Sequence, residues 1–82
     1  MKHVVYILKS TKELNRYYIG FTNNLDERLK EHNSEECKGY SKRYAPWELE
    51  TYIVFRNRLL AEKFERYLKV GSGQAFLKKR LI

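Results

Sequence analysis

Two short β-prone segments lie close together at the start of this chain, residues 3–8 (HVVYIL) and 17–21 (YYIGF). The polar stretch between them carries Lys12, Glu13 and Asn15 and reads as a turn or short loop. β-branched and aromatic residues favour extended backbone, because their side chains pack well on a pleated surface. Strands joined by so short a connection pair antiparallel, so a hairpin is expected. Successive side chains of a strand point to opposite faces. Tyr6 therefore falls with Val4 and Leu8, and Tyr18 falls with Gly20. If the hairpin register puts both tyrosines on one face, Gly20 leaves room beside them. Glycine inside a strand often marks a close approach by backbone or ligand.

The rest of the chain supplies one more strand and the helices to cover a sheet. Asn24 is an N-cap candidate with Glu27 as its capping-box partner, opening a helix over residues 25–35. Leu25 and Leu29 form its apolar stripe, and Arg28 and His32 sit four apart on a neighbouring stripe. Residues 37–45 (CKGYSKRYA) read as a basic loop, with Gly39, Tyr40 and Tyr44 among Lys38, Lys42 and Arg43, closed by Pro46. Residues 47–55 (WELETYIVF) are a third strand, its latter part apolar enough to take the central place. Asn57 caps a second helix whose apolar positions are Leu60, Phe64, Tyr67 and Leu68. Gly71-Ser72-Gly73 ends it, and Ser72 is placed to cap a short last helix over residues 73–80. The expected fold is α/β of the α+β kind. It is one small domain over residues 1–82, with a three-stranded antiparallel sheet flanked by about three helices.

An 82-residue chain has room for one hydrophobic core. Its net charge of +7 directs it towards polyanions, nucleic acid most commonly. A membrane-surface protein would gather its cations on a helix with a broad apolar face, whereas here they are scattered over the whole chain. A single cysteine, Cys37, excludes an internal disulfide and a cysteine-based zinc cage. No stretch approaches the roughly 18 apolar residues of a membrane span, and there is no signal-peptide pattern. These features lead to the expectation of a chain that begins at its fold and works in the cytoplasm.

The ordered set Val4-Val5-Tyr6, Tyr18-Ile19-Gly20, then Asn24-Leu25 with Arg28 and His32 in NLDERLKEHN resembles the GIY-YIG nuclease domains. Pro46-Trp47-Glu48-Leu49 and the run AEKFERYLK holding Glu65 extend the resemblance over almost the whole chain. It is most similar to short stand-alone members related to the N-terminal nuclease domain of the bacterial repair protein UvrC. The resemblance implies an endonuclease that hydrolyses DNA phosphodiesters with Mg²⁺ or Mn²⁺, in DNA repair or recombination. Tyr6 would then act as general base or position the attacking water. A free phenol has a pKa near 10, so a base role needs cationic help nearby. Tyr18 would line the same pocket and hydrogen-bond the scissile phosphate or a metal-bound water. Arg28 would neutralise charge on the phosphate in the transition state. His32 would assist proton transfer or orient a tyrosine hydroxyl, and Glu65 would hold the metal. The first triplet departs from the pattern at Val4, in place of glycine, and at its middle residue Val5; both changes keep β-character and leave the tyrosine. Phe21 stands where some relatives carry a lysine that helps lower a tyrosine pKa.

Each of these residues also has a plainer role. Tyr6 and Tyr18 fit ordinary sheet aromatics, and Arg28 and His32 fit a solvated helix face beside Asp26, Glu27, Lys30 and Glu31. Glu62 rivals Glu65 for the metal, although Arg58 and Arg66 offer it ordinary helix ion pairs. His3 reads as an exposed strand residue. Lys38, Tyr40, Lys42 and Arg43, with Gly20, are the expected substrate contacts, cations for phosphate and rings for stacking. DNA is the expected partner, with other repair proteins a further one. The rival to a nuclease is a nucleic-acid-binding module that does not cut; a small scaffold whose charge only aids solubility is a third reading.

Overall fold

The computed structural model describes residues 2–35 and 39–82. Strands β1 (His3–Ser10), β2 (Tyr17–Thr22) and β3 (Trp47–Phe55) form one antiparallel sheet in the order β2-β1-β3. Helices α1 (Leu25–His32) and α2 (Tyr40–Tyr44) lie between β2 and β3 in the chain. Helices α3 (Arg58–Leu68) and α4 (Gly71–Phe76) follow β3, and α4 runs on into a wider, π-type turn at Leu77–Leu81. The expected three-stranded antiparallel sheet is present, with four helices among the described residues.

The central strand is β1, and it is buried on both faces. Val4, Val5, Tyr6, Ile7 and Leu8 are each 2% exposed or less, which explains their unbroken apolar run. Its alternating side chains feed two separate cores. Val4, Tyr6 and Leu8 pack with Leu25, Tyr44 and Trp47. Val5 and Ile7 pack with Ala61, Leu68 and Leu77.

The central place assigned to β3 from sequence is corrected: β3 is an edge strand. Ile7 pairs with Thr51 but Leu8 pairs with Leu49, so Glu50 is an extra residue in a bulge. The bulge changes which side chains point inward. Trp47 and Leu49 join the α1 side, Phe55 joins the α3 side, and Tyr52 and Val54 remain exposed.

Helix starts follow local chemistry. Asn24 caps α1 by accepting from the Glu27 backbone N–H at 3.2 Å, and its own amide donates to the Glu27 carboxylate. The helix ends at His32, short of the expected Glu35, because Asn33 is engaged elsewhere. The Asn33 side chain accepts from the Trp47 backbone N–H at 2.6 Å and donates to the Trp47 carbonyl at 2.9 Å, pinning α1 to the start of β3. Asn57 caps α3 as expected, accepting from Leu59 and Leu60. The buried stripe of α3 is Ala61, Phe64 and Leu68, whereas Leu60 and Tyr67 are exposed. Small Ala61 at 0% exposure lets the helix approach the sheet. The last helix begins at Gly71 rather than Gly73, so Ser72 lies inside it. A Cβ at Gly73 would meet the Tyr67 carbonyl oxygen at 1.6 Å, so only glycine permits this junction of α3 and α4.

Candidate active site

The hairpin register settles the tyrosine question. Tyr6 lies opposite Gly20 and Leu8 opposite Tyr18, so both tyrosines share the α1 face. The Tyr6 phenol lies directly over Gly20, where a Cβ would stand 2.3 Å from the phenol oxygen. Gly20 is thus a bed for the ring, and its lack of a side chain sets where the hydroxyl goes. The Tyr6 oxygen is 3.0 Å from Nε2 of His32. His32 is two turns beyond Leu25 on the buried stripe of α1, and it is 5% exposed. Its Nδ1 is 2.8 Å from the Ser41 hydroxyl on α2. The Tyr18 ring stacks on Tyr6 at 6.2 Å and lies 4.5 Å from the imidazole. Tyr6, Tyr18, Gly20 and His32 are therefore brought together. Ser41 completes the chain, and sequence reasoning missed it: a small hydroxyl within a basic segment carries no periodic signal.

Burial, before any charge, raises the Tyr6 pKa well above the ordinary phenol value. The Tyr18 phenol and the carboxylates of Glu31 and Glu65 push the same way, and the Arg28 guanidinium opposes them. Burial and then Arg28 lower the His32 pKa, against a smaller pull from Glu31. At neutral pH the pair is a protonated phenol beside a neutral imidazole. With the ring proton on Nδ1 donated to Ser41, Nε2 is free to accept from the Tyr6 hydroxyl. No buried side-chain nitrogen or oxygen among the described residues lacks a partner.

Neither Arg28 nor Glu65 hydrogen-bonds to this buried chain. The Arg28 side chain is 45% exposed, 3.8 Å from Glu31. It lines a cleft of about 230 Å³ with His3, Phe21, Asn23 and Arg58, so His3 is half-buried at a cleft rather than on an open strand. The Arg58 guanidinium lies 5.9 Å from the centre of the Phe21 ring. Glu65 extends from α3, on the other side of the sheet, yet its charge is felt at Tyr6. Its side chain is 16% exposed and pairs with the Lys69 ammonium at 2.6 Å. Glu62 pairs with Arg58 at 3.1 Å, as an ordinary helix ion pair would. Among the described residues no three His, Cys, Asp or Glu side chains cluster as a metal cage.

The segment expected as a basic loop holds α2, which brings Tyr40 to the aromatic cluster. Tyr40 lies 6.4 Å from Tyr18 and 6.0 Å from Trp47, and its hydroxyl donates to the Tyr17 carbonyl. Lys42 and Arg43 lie exposed, Arg43 over the Tyr44 ring, and neither side chain hydrogen-bonds to the Tyr6–His32–Ser41 chain. Cys37 and Lys38 lie outside the described residues.

Known proteins are similar to this chain in sequence or in fold. The GIY-YIG catalytic domain model matches residues 2–79. The UPF0213 protein CPE1444 of Clostridium perfringens is 38% identical over 65 residues, covering 79% of this chain and 68% of that protein. A structure-specific endonuclease subunit SLX1 homolog of Giardia intestinalis is 37% identical over 62 residues, 72% of this chain but only 17% of that protein. The solution NMR structure of the UPF0213 protein BH0048 from Bacillus halodurans superposes with a TM-score of 0.58, covering 99% of this chain and 87% of that one. At 23% identity, this likeness supports the fold alone. With a family model spanning nearly its whole length, the chain belongs to the GIY-YIG catalytic domain family.

Proposed function

We propose that this chain is a divalent-metal-dependent endonuclease that hydrolyses phosphodiester bonds in DNA. The observation that carries the reading is the buried run from Tyr6 through His32 to Ser41, flanked by Tyr18 and Arg28. A phenol whose pKa is raised is not a standing base. It works here by relay: the attacking water gives its proton to the Tyr6 oxygen as the Tyr6 proton passes to Nε2 of His32. Ser41 meets the other ring nitrogen, and when its oxygen accepts the Nδ1 proton the tautomer is the one whose Nε2 accepts. Tyr18 hydrogen-bonds the phosphate, and the exposed guanidinium of Arg28 stabilises the charge that builds on its oxygens.

Bound Mg²⁺ or Mn²⁺ would supply Lewis-acid activation of the phosphate. Glu65 is the residue to hold it, a largely buried carboxylate whose charge reaches Tyr6. One carboxylate suits Mg²⁺, which keeps several of its waters. The Lys69 ammonium now paired with Glu65 must give way on loading.

Branched, nicked or damaged DNA are the substrates we favour, with repair or recombination as the setting and other repair proteins as partners. The SLX1 homolog, whose name describes a structure-specific endonuclease subunit, supports that choice. Purified protein with Mg²⁺ or Mn²⁺ is expected to convert supercoiled plasmid to nicked circles. Chelation and Glu65→Gln should each abolish the conversion; nicking that survives both overturns the reading. A second reading, a module that binds nucleic acid without cutting, draws on the raised Tyr6 pKa and on Phe21 at the lysine position. It predicts salt-sensitive gel shifts with no cleavage under any metal.

A further inference from the structure

A cleft of about 710 Å³ opens along the β2 edge, between α2 and the C-terminal turn. We infer that it is a subsite for an unpaired nucleotide of a single strand, next to the Tyr6–Tyr18 cluster. The volume lies within the roughly 300–1,000 Å³ common for ligand clefts. Its lining has what a nucleotide requires. Arg16, whose guanidinium lies 4.9 Å from the Tyr44 ring, and Lys78 contribute exposed cations for phosphate, and Tyr40, 44% exposed, contributes a ring for stacking beside the partly buried Tyr17. Ile19 adds apolar surface beneath a base. The Gln74 amide N–H₂ is committed to the Leu68 carbonyl at 2.6 Å, which leaves its own carbonyl to accept from a base edge.

Tyr40 connects the cleft to the catalytic cluster. Its hydroxyl is fixed on the Tyr17 carbonyl at 3.1 Å, and its ring lies 6.4 Å from that of Tyr18. A nucleotide seated in the cleft leaves its neighbouring phosphate beside Tyr18. Bases within a duplex are stacked and paired, so only a frayed, flapped or single-stranded nucleotide can enter a concave site of this kind. The cleft would thus select non-duplex structure by shape, with no reading of sequence. What it serves rests on the nuclease reading proposed above; binding does not.

The test is titration of ¹⁵N-labelled protein with tetrathymidylate in EDTA, followed by amide NMR, beside a duplex hairpin of similar charge. Tetrathymidylate should shift Arg16, Ile19, Lys78 and the Gln74 side-chain amide along one saturable curve. Lys78→Glu should weaken it by about fivefold while duplex binding changes less than about twofold, because a duplex draws on cations all over the surface. Shifts confined to other residues, or equal losses for both ligands, overturn the inference. Because EDTA prevents metal-dependent cleavage, the two readings fail separately. Cleft binding without nicking in the plasmid assay removes the nuclease and keeps the subsite, whereas nicking without cleft shifts removes the subsite alone.

Discussion

The two faces of the sheet draw on one strand yet are built from different materials. On the α3 side, Val5, Ile7, Ala61, Leu68 and Leu77 make a wholly apolar core. On the α1 side, Val4, Leu8, Leu25 and Trp47 surround buried polar groups: the Tyr6 phenol, His32, Ser41, Ser10 and Thr22. Buried polar groups are costly unless hydrogen-bonded, and each of these has a partner. The difference teaches how a domain this small combines an apolar core with a buried polar network. One face supplies apolar burial, and the other holds a polar network whose members satisfy one another or the backbone. Glu65 belongs to the α3 side, where its largely buried carboxylate pairs with Lys69.

Paired substitutions should break this comparison most sharply. Arg28→Ala is expected to slow plasmid nicking by about 10²–10³-fold, the usual cost of losing a transition-state donor, with thermal unfolding hardly changed. Leu68→Ala should do the reverse. It is expected to cost about 2–5 kcal/mol in denaturant unfolding while nicking per folded molecule stays near the parent value. Gly20→Ala joins the two effects, because its Cβ drives the buried Tyr6 ring off His32. A loss of about 1–3 kcal/mol should accompany slower nicking, both read on the same preparation.

These effects turn on residues that differ in how far sequence alone reveals them. The hairpin, Gly20 beside Tyr6, and the Asn24 and Asn57 caps were legible because each depends on neighbours in the chain or on strand alternation. The edge position of β3 was not, because its apolar latter part suggested burial on both faces whereas Tyr52 and Val54 are exposed. The α3 stripe was misread because Ala61 is small and buried while the larger Leu60 is exposed. Helix α2 and its Ser41 were missed because a five-residue helix has no period to read. Tyr6, Tyr18 and His32 were named from the ordered motif, and the distances among them came only from the fold.

Smaller effects sharpen the account of the polar face. Ser41→Ala should cost about 1 kcal/mol and slow nicking, with the loss greater than for alanine at exposed Lys42. Stability should also depend on pH through His32. Its folded pKa is lowered by burial, so the unfolded chain binds the proton more readily. The stabilisation is complete above about pH 6.5, the ordinary histidine value, and is lost as pH falls from there through the folded value. Urea titrations at pH 7.5 and 5.5 read the change, and His32→Gln should flatten it.

The most direct measurement compares wild type with Tyr6→Phe, a change of one oxygen in a buried ring, on supercoiled plasmid with Mg²⁺ at equal folded concentration. The account expects a loss of at least about 10²-fold with the fold intact. Equal nicking by the two proteins would contradict it.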